Sequence, residues 1–105
     1  MKLVFKIEYY TEFGQNLFVC GNLSELGAWD KTRAPVMTYV GDGKWELEIY
    51  LDDISNDLFE YKYFIRDDRN SLIIDEWGQN RRFPIQGKKF YSYFFDDSWF
   101  SNTDP

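Results

Sequence analysis

Apolar and polar residues alternate along several segments of the chain, a pattern typical of β-strands that bury one face. In the first segment, for example, Leu3, Phe5 and Ile7 fall on one face. The predicted strands are KLVFKIEYY, NLFVC, APVMTYV, KWELEIYL, FEYKYFIR, SLIID and KKFYSYFF. No segment shows a sustained apolar repeat of 3.6 residues, so the pattern predicts no long amphipathic helix.

Turn-forming residues separate these segments at regular intervals. The turn signals are Phe13-Gly14-Gln15-Asn16, Gly41-Asp42-Gly43, Asp67-Asp68-Arg69-Asn70 and Gln86-Gly87. Short strands at this spacing predict one all-β domain, folded as an antiparallel β-sandwich of about seven to eight strands. The segment LSELGAW predicts a single helical turn, with Ser24 as its cap and Gly27 as its end.

The two ends of the chain differ from its middle. The opening MKLVFKIEYYTEF has no continuous apolar stretch, so it predicts neither a signal peptide nor a membrane span. After Phe95 the chain turns polar, which is typical of a linker. We therefore expect a domain over residues 1–96 and a tail or linker over 97–105, in a monomeric N-terminal module of a longer cytoplasmic protein.

The aromatic content is high for a chain of 105 residues. Aromatic residues make up 21% of the sequence, with ten Phe, eight Tyr and four Trp. A domain of this size cannot bury all of these rings fully. Exposed rings are typical of surfaces that bind something, so the composition indicates a binding function.

Charge and the missing residue types exclude several classes of function. The formal net charge is −6, which disfavours nucleic acid and anionic membranes as partners. There is no His, so Ser-His and Cys-His couples cannot form and the commonest metal ligand is lacking. Cys20 is the only cysteine and lies in an apolar run, which indicates a buried side chain without a disulfide. No cofactor or metal ion is expected.

Two tryptophans lie outside the predicted strands. Trp29 follows the second strand, and Trp77 lies in IIDEWGQNRRF. Lys62 points away from the core residues of its strand. Aromatic planes stack on the apolar face of a sugar ring, while Lys and Asn side chains hydrogen-bond its hydroxyls, so these residues suit a neutral, hydroxyl-rich ligand. The alternative is that each Trp is a hydrophobic plug beneath its loop.

Four segments in order resemble the starch-binding domain of carbohydrate-binding module family 20, over about residues 1 to 96. They are FGQNLFVCGNLSELGAWDKTRAPVM, WELEIYL, FEYKYFIRDD and EWGQNRRF. The resemblance implies an immunoglobulin-like sandwich that binds α-1,4-glucans, such as starch, glycogen, maltodextrins and cyclodextrins, and performs no chemistry itself.

The resemblance also implies which residues bind. Trp29, Lys62, Trp77 and Asn80 match the principal site of the family, where two Trp rings stack on adjacent glucose units and the polar residues hydrogen-bond them. The sequence departs from the family after Trp77, because Gly78 replaces an acidic residue and the interval to Asn80 is shorter. Glu76 or Gln79 is therefore expected to supply the missing polar contact.

Other aromatic residues receive separate assignments. The family often has a second aromatic site, for which Phe13 and Tyr39 are the candidates here. Trp45 begins an alternating strand and is predicted to lie in the core. Trp99 lies in the polar tail, where it is available to pack against a following domain.

Two alternatives belong to other functional classes. A glycosidase needs two carboxylates at a fixed separation, but the acidic pairs here, such as Asp52-Asp53 and Asp75-Glu76, are adjacent in sequence. A protein-interaction module would use the same exposed aromatic residues. The resemblance instead favours a module that brings an attached catalytic domain to its substrate. Its N-terminal placement resembles that of cytoplasmic 4-α-glucanotransferases.

Overall fold

The chain folds into eight β-strands and one short 3-10 helix within the residues that the structure describes. The structure is a computed structural model, and it describes residues 1–51, 58–84 and 92–101. The strands are β1 (Lys2–Glu8), β2 (Gln15–Gly21), β3 (Thr38–Gly41), β4 (Lys44–Tyr50), β5 (Leu58–Asp67), β6 (Leu72–Asp75), β7 (Arg81–Pro84) and β8 (Ser92–Ser98). The 3-10 helix, Ser24–Leu26, lies between β2 and β3. The predicted all-β class is confirmed.

The strands form two sheets. One has the order β3-β4-β1-β8, and in the other β5 pairs with β2 on one edge and with β6 and β7 on the opposite edge. All pairs are antiparallel except β1 and β8, which run parallel with Leu3 opposite Tyr93 and Ile7 opposite Asp97. Parallel neighbours need a long connection, and these two strands are far apart in sequence. The alternation of residues carries no information about this direction.

The core lies between the sheets and is rich in rings. Phe5, Trp45, Phe59, Tyr61 and Tyr63 are buried there, with exposures of 4% or less. Phe5 and Tyr61 meet edge to face with ring centroids 5.0 Å apart, an arrangement that aromatic pairs favour. The face predicted for the first segment is buried, and the core position predicted for Trp45 is confirmed.

A second apolar cluster covers part of the outer face of β2 and β5. Phe18 and Phe64 stack with centroids 4.9 Å apart and planes within 7°, and Cys20 packs beside them. Cys20 is buried as predicted, and Phe64 is buried beside it on the face of β5 opposite the core. The guanidinium carbon of Arg66 lies 4.6 Å from the centre of the Phe18 ring. The outer face of the second sheet is therefore partly covered by packed apolar side chains.

β6 and β7 continue along the same edge of β5. β6 pairs with residues 64–67 of β5, and β7 pairs with residues 58–61. Residues 76–80 therefore form an excursion from this edge, named here the Trp77 loop. β7 was not predicted, because Arg81–Pro84 lacks a clear alternation. The predicted Gln86-Gly87 turn and the Asp52-Asp53 pair lie outside the described residues.

The folded unit continues past the boundary predicted at residue 96. Asp97 accepts hydrogen bonds from the hydroxyls of Tyr61 and Tyr63, at 2.7 and 2.8 Å. Trp99 packs on the core, with its ring centroid 4.9 Å from that of Tyr9. The assignment of residues 97–101 to a tail is therefore corrected. No helix in the described part of the chain is long and apolar enough to cross a membrane.

Candidate functional site

The loop after β2 depends on Gly27. Its φ of +86° is favourable for glycine and ends the 3-10 helix at Leu26. A Cβ at this position would lie 2.8 Å from the Asp30 carbonyl oxygen and 2.9 Å from the Ala34 nitrogen, so a side chain would not fit. Ser24, predicted as the cap, is instead the first residue of the helix, and its hydroxyl bonds Glu25.

The backbone of Trp29 is held in an unusual conformation. Ala28 and Trp29 have φ values of +50° and +66°, a region that residues with side chains rarely adopt. The Trp29 N–H donates to the Gly21 carbonyl at 2.8 Å, and the Ala28 N–H donates to that of Leu23 at 3.0 Å. Such strain persists where surrounding contacts enforce it, often at functional sites. The side chain of Trp29 is 43% exposed.

Three contacts hold the Trp77 loop. Lys62 Nζ donates to the Gly78 carbonyl at 2.7 Å, and the Trp77 N–H donates to the Phe100 carbonyl at 3.1 Å. At the start of the loop, the Glu76 N–H donates to the Tyr63 carbonyl at 3.3 Å. The ring of Trp77 remains 59% exposed, so the loop is anchored through its backbone while its aromatic side chain faces solvent.

Glu76 holds this loop through buried contacts, and its side chain does not reach the exposed surface. Its side chain is fully buried and forms a bidentate ion pair with Arg81, in which Nη2 and Oε2 lie 2.9 Å apart. The same carboxylate accepts hydrogen bonds from the N–H groups of Tyr63, at 3.0 Å, and Phe100, at 2.7 Å. The assignment of Glu76 to the binding surface is corrected, because its carboxylate oxygens are occupied within the protein.

A hollow of about 240 Å³ lies on the outer face of the second sheet. Three of the predicted site residues line it: Trp29, Lys62 and Asn80. Its lining is Cys20, Trp29, Lys31, Lys62, Tyr63, Phe64, Asp75 and Asn80. Burial raises the pKa of the Cys20 thiol, so the thiol at the base of this hollow is neutral. At the rim, Lys31 and Asp75 form a salt bridge of 2.7 Å that the sequence analysis did not identify.

Trp77 lies in a neighbouring hollow of about 450 Å³. This second hollow is lined by Trp77, Gly78, Gln79, Asn80, Arg81, Trp99, Phe100 and Ser101. The two predicted Trp residues therefore do not share one hollow, but Asn80 lines both and makes them adjacent. Gln79 is exposed on the Trp77 side. The contribution of Phe100 was not predicted, because the polar composition of residues 97–105 is typical of a linker.

Phe13 and Tyr39 lie around a third hollow of about 400 Å³, away from the first two. Phe13 is 94% exposed and Tyr39 is 53% exposed. The Tyr39 hydroxyl accepts a hydrogen bond from the Gly43 N–H at 3.0 Å, which fixes the end of the ring. Tyr10 also lines this hollow and was not identified from sequence. The negative charge of Glu8 raises the pKa of Tyr10.

The chemistry of the adjacent hollows suits binding of a neutral ligand. Aromatic faces stand beside amide groups, and Lys62 keeps N–H donors beyond the one used on Gly78. No group of three or more His, Cys, Asp or Glu side chains that could hold a metal ion occurs in residues 1–51, 58–84 and 92–101.

The chain matches the family described as "Starch binding domain" over residues 1–93. It is 29% identical over 86 residues to the 4-alpha-glucanotransferase DPE2 of Oryza sativa subsp. japonica, covering 79% of this chain and 9% of that protein. It is 36% identical over 77 residues to the alpha-amylase of Streptomyces violaceus, covering 73% of this chain and 13% of that protein. The chain thus spans a small part of these relatives.

Solved structures share the fold. A glucoamylase of Hormoconis resinae aligns with a TM-score of 0.79 and 28% identity, covering 99% of this chain and 18% of that one. The family 20 carbohydrate-binding module of the maltotetraose-forming amylase from Pseudomonas saccharophila STB07 aligns with a TM-score of 0.66 and 23% identity, covering 92% and 100%. The second of these alignments bears on fold alone.

Proposed function

Because the chain belongs to the starch-binding domain family, we propose that it binds α-1,4-glucans at the adjacent hollows of Trp29 and Trp77. The family consists of non-catalytic binding modules. The ligands proposed are starch, glycogen, maltodextrins and cyclodextrins. In this proposal each Trp ring stacks on one glucose unit, and Lys62, Gln79 and Asn80 hydrogen-bond the hydroxyls at the rim.

The observation that supports this site is the position of Asn80 between the two rings. Trp29, Lys62 and Asn80 line the first hollow, and Asn80 and Trp77 line the second. A ligand with repeated units can therefore contact one ring in each hollow while the amide bonds it at the centre. The backbone N–H of each Trp is hydrogen-bonded within the protein, so the two loops need little ordering when the ligand binds.

Isothermal titration with β-cyclodextrin and maltoheptaose tests the proposal. We expect dissociation constants of roughly micromolar to millimolar, because open stacking sites with solvated rims bind weakly. Cellohexaose is the control, since a flat β-linked chain does not match a curved pair of platforms. No heat and no change in Trp fluorescence at millimolar β-cyclodextrin would contradict the proposal.

The two rings should contribute separately. We expect Trp29→Ala and Trp77→Ala each to weaken binding by about 1–3 kcal/mol, by analogy with bases stacked on aromatic residues. Phe94→Ala is the matched control, because it removes a ring that is 62% exposed on β8 and lines neither hollow. Titration of the three variants with β-cyclodextrin measures this. If Trp29→Ala binds like the parent chain, the paired arrangement is wrong.

We further propose a second, weaker glucan site at the hollow of Phe13 and Tyr39. Both rings are exposed and line one concave surface with Tyr10. Phe13 lacks a hydroxyl, so it can stack on a sugar ring but cannot hydrogen-bond it. This site would appear in titrations as a second event of lower affinity, which loss of the Phe13 ring would remove.

In the whole protein, we propose that the domain brings an attached catalytic domain to its glucan. The support is the similarity to a rice 4-alpha-glucanotransferase, of which this chain matches 9%. A cytoplasmic location and a monomeric state remain predictions. Activity of the complete protein on soluble starch, compared with a form lacking residues 1–101, tests the targeting role. Equal activity at low substrate concentration would contradict it.

A further inference from the structure

The second hollow extends beyond the residues proposed to bind glucan. One side is the Trp77 loop, and the other is the segment Trp99–Ser101 that follows β8. Phe100 belongs to this segment, and its ring is 44% exposed. The hollow has a volume of about 450 Å³, and residues 99–101 line it together with the Trp77 loop.

The position of Phe100 is fixed by contacts on its backbone and its ring. Its N–H donates to Glu76 at 2.7 Å, and its carbonyl accepts from the Trp77 N–H at 3.1 Å. The guanidinium carbon of Arg81 lies 4.0 Å from the ring centre, a distance typical of cation–π stacking. A ring that is ordered in this way and still exposed is a preorganised surface for a ligand.

The hollow is continuous with the proposed glucan site through Asn80 and Trp77. Asn80 lines both hollows, and Trp77 lines the second one with it. Gln79 and Ser101 add polar groups to the lining. A glucan that passes Trp77 would therefore meet a second aromatic ring with hydrogen-bonding groups beside it.

We propose that this hollow is a further subsite, in which Phe100 stacks on an additional glucose unit of a chain already bound at Trp29 and Trp77. This inference rests on the proposed function. It assigns a role in chain-length preference to a residue after the last strand, where the sequence indicated a linker. Longer maltodextrins would then bind more tightly than short ones because only they reach Phe100.

Titration of the parent chain and Phe100→Ala with maltose and maltoheptaose tests the subsite, because maltose has only the two glucose units that Trp29 and Trp77 bind. We expect the variant to bind maltoheptaose roughly fivefold or more weakly, because one stacked ring is lost, and maltose with unchanged affinity. Phe100→Tyr should retain the preference for the longer sugar, since it keeps the ring. Phe94→Ala, which removes an exposed ring elsewhere, should leave both affinities unchanged.

An equal loss for both sugars would overturn the subsite, because it would show that Phe100 only supports the Trp77 loop. Unchanged binding of both sugars by Phe100→Ala would overturn it as well. A parent chain that binds neither sugar would instead overturn the proposed function itself. Thermal melts of each variant confirm folding, and the backbone hydrogen bonds of residue 100 do not require its side chain.

Discussion

Trp29 and Trp45 have the same side chain in opposite surroundings. Trp29 stands on a backbone with φ of +66° and is 43% exposed. Trp45 is 4% exposed, donates from Nε1 to the Tyr9 carbonyl at 3.3 Å and packs against Tyr39 with centroids 5.1 Å apart. Buried apolar area stabilises the fold, whereas an exposed ring contributes little. The two residues should therefore affect different measurements.

We expect Trp45→Ala to lower the free energy of unfolding by about 3–5 kcal/mol, because it leaves a cavity between the sheets. Trp29→Ala should change this free energy far less. Urea denaturation of both variants, followed by Tyr and remaining Trp fluorescence, measures the difference. Glucan binding by the folded fraction of Trp45→Ala should persist. Greater destabilisation by Trp29→Ala than by Trp45→Ala would show that the surface and core assignments are reversed.

Glu76 adjoins the exposed Trp77 loop, but its own carboxylate is buried in an ion pair with Arg81. We expect Glu76→Gln to lower the free energy of unfolding by about 3 kcal/mol, because it breaks a buried ion pair. This value is at the lower end of the usual range, since Arg81 keeps a second carboxylate, that of Asp97, at 3.5 Å. The matched control is the neighbouring Asp75→Asn, whose pair with Lys31 is exposed and should be worth less than about 1 kcal/mol. Urea denaturation measures both, and equal effects would contradict the buried role.

At the scale of strands, alternation predicted most of the fold. Each of the seven predicted segments overlaps a strand in the described residues, because each places apolar side chains on one face. Arg81–Pro84 was missed since its pairing with β5 comes from position along an edge and not from a pattern. The parallel pairing of β1 and β8 depends on contacts between distant segments, and so do the hydrogen bonds of Glu76 with Tyr63 and Phe100. No local pattern encodes such contacts.

The last residue of β5, at the start of the turn to β6, is a carboxylate that should respond to pH. Arg69 donates hydrogen bonds to both oxygens of Asp67, with Nη2 and Oδ2 2.6 Å apart, and Gln15 of β2 donates at 3.3 Å. These contacts lower the pKa of Asp67. The unfolded chain, with an Asp pKa of about 3.9, therefore binds this proton more readily than the folded one. The resulting stabilisation is fully present above about pH 4 and is lost as pH falls below it.

We expect Asp67→Asn to be less stable than the parent chain at about pH 7, and the difference to shrink as pH falls from about 4 to about 2. Urea midpoints measured across this range give the comparison. Asp68→Asn changes an exposed carboxylate of the same turn and serves as the control. A difference that stays constant with pH would show that the ionised form of Asp67 is not what the turn requires.

At the scale of the molecule, the candidate site is assembled from segments of both sheets. The loop after β2, the outer face of β5 and the Trp77 loop belong to the second sheet, while the segment after β8 arrives from the first. Tyr61 and Tyr63 of the second sheet bond Asp97 of the first. The net charge of −6 is compatible with a neutral ligand, whose binding releases no counterions. β8 and the residues that follow it therefore contribute both to the core and to the candidate site.

A chain that ends at residue 96 should therefore lose both stability and binding. It lacks Asp97, which leaves two buried tyrosine hydroxyls and Arg81 without this partner, and it lacks the Phe100 backbone that holds Glu76 and Trp77. We expect a loss of about 3–5 kcal/mol in the free energy of unfolding, as for breaking a buried polar network. Urea denaturation compares this chain with residues 1–101, and titration with β-cyclodextrin at a temperature where both are folded compares binding. If the shorter chain matches the longer one in both, the residues after 96 are a linker, and the network around Asp97 does not support the site.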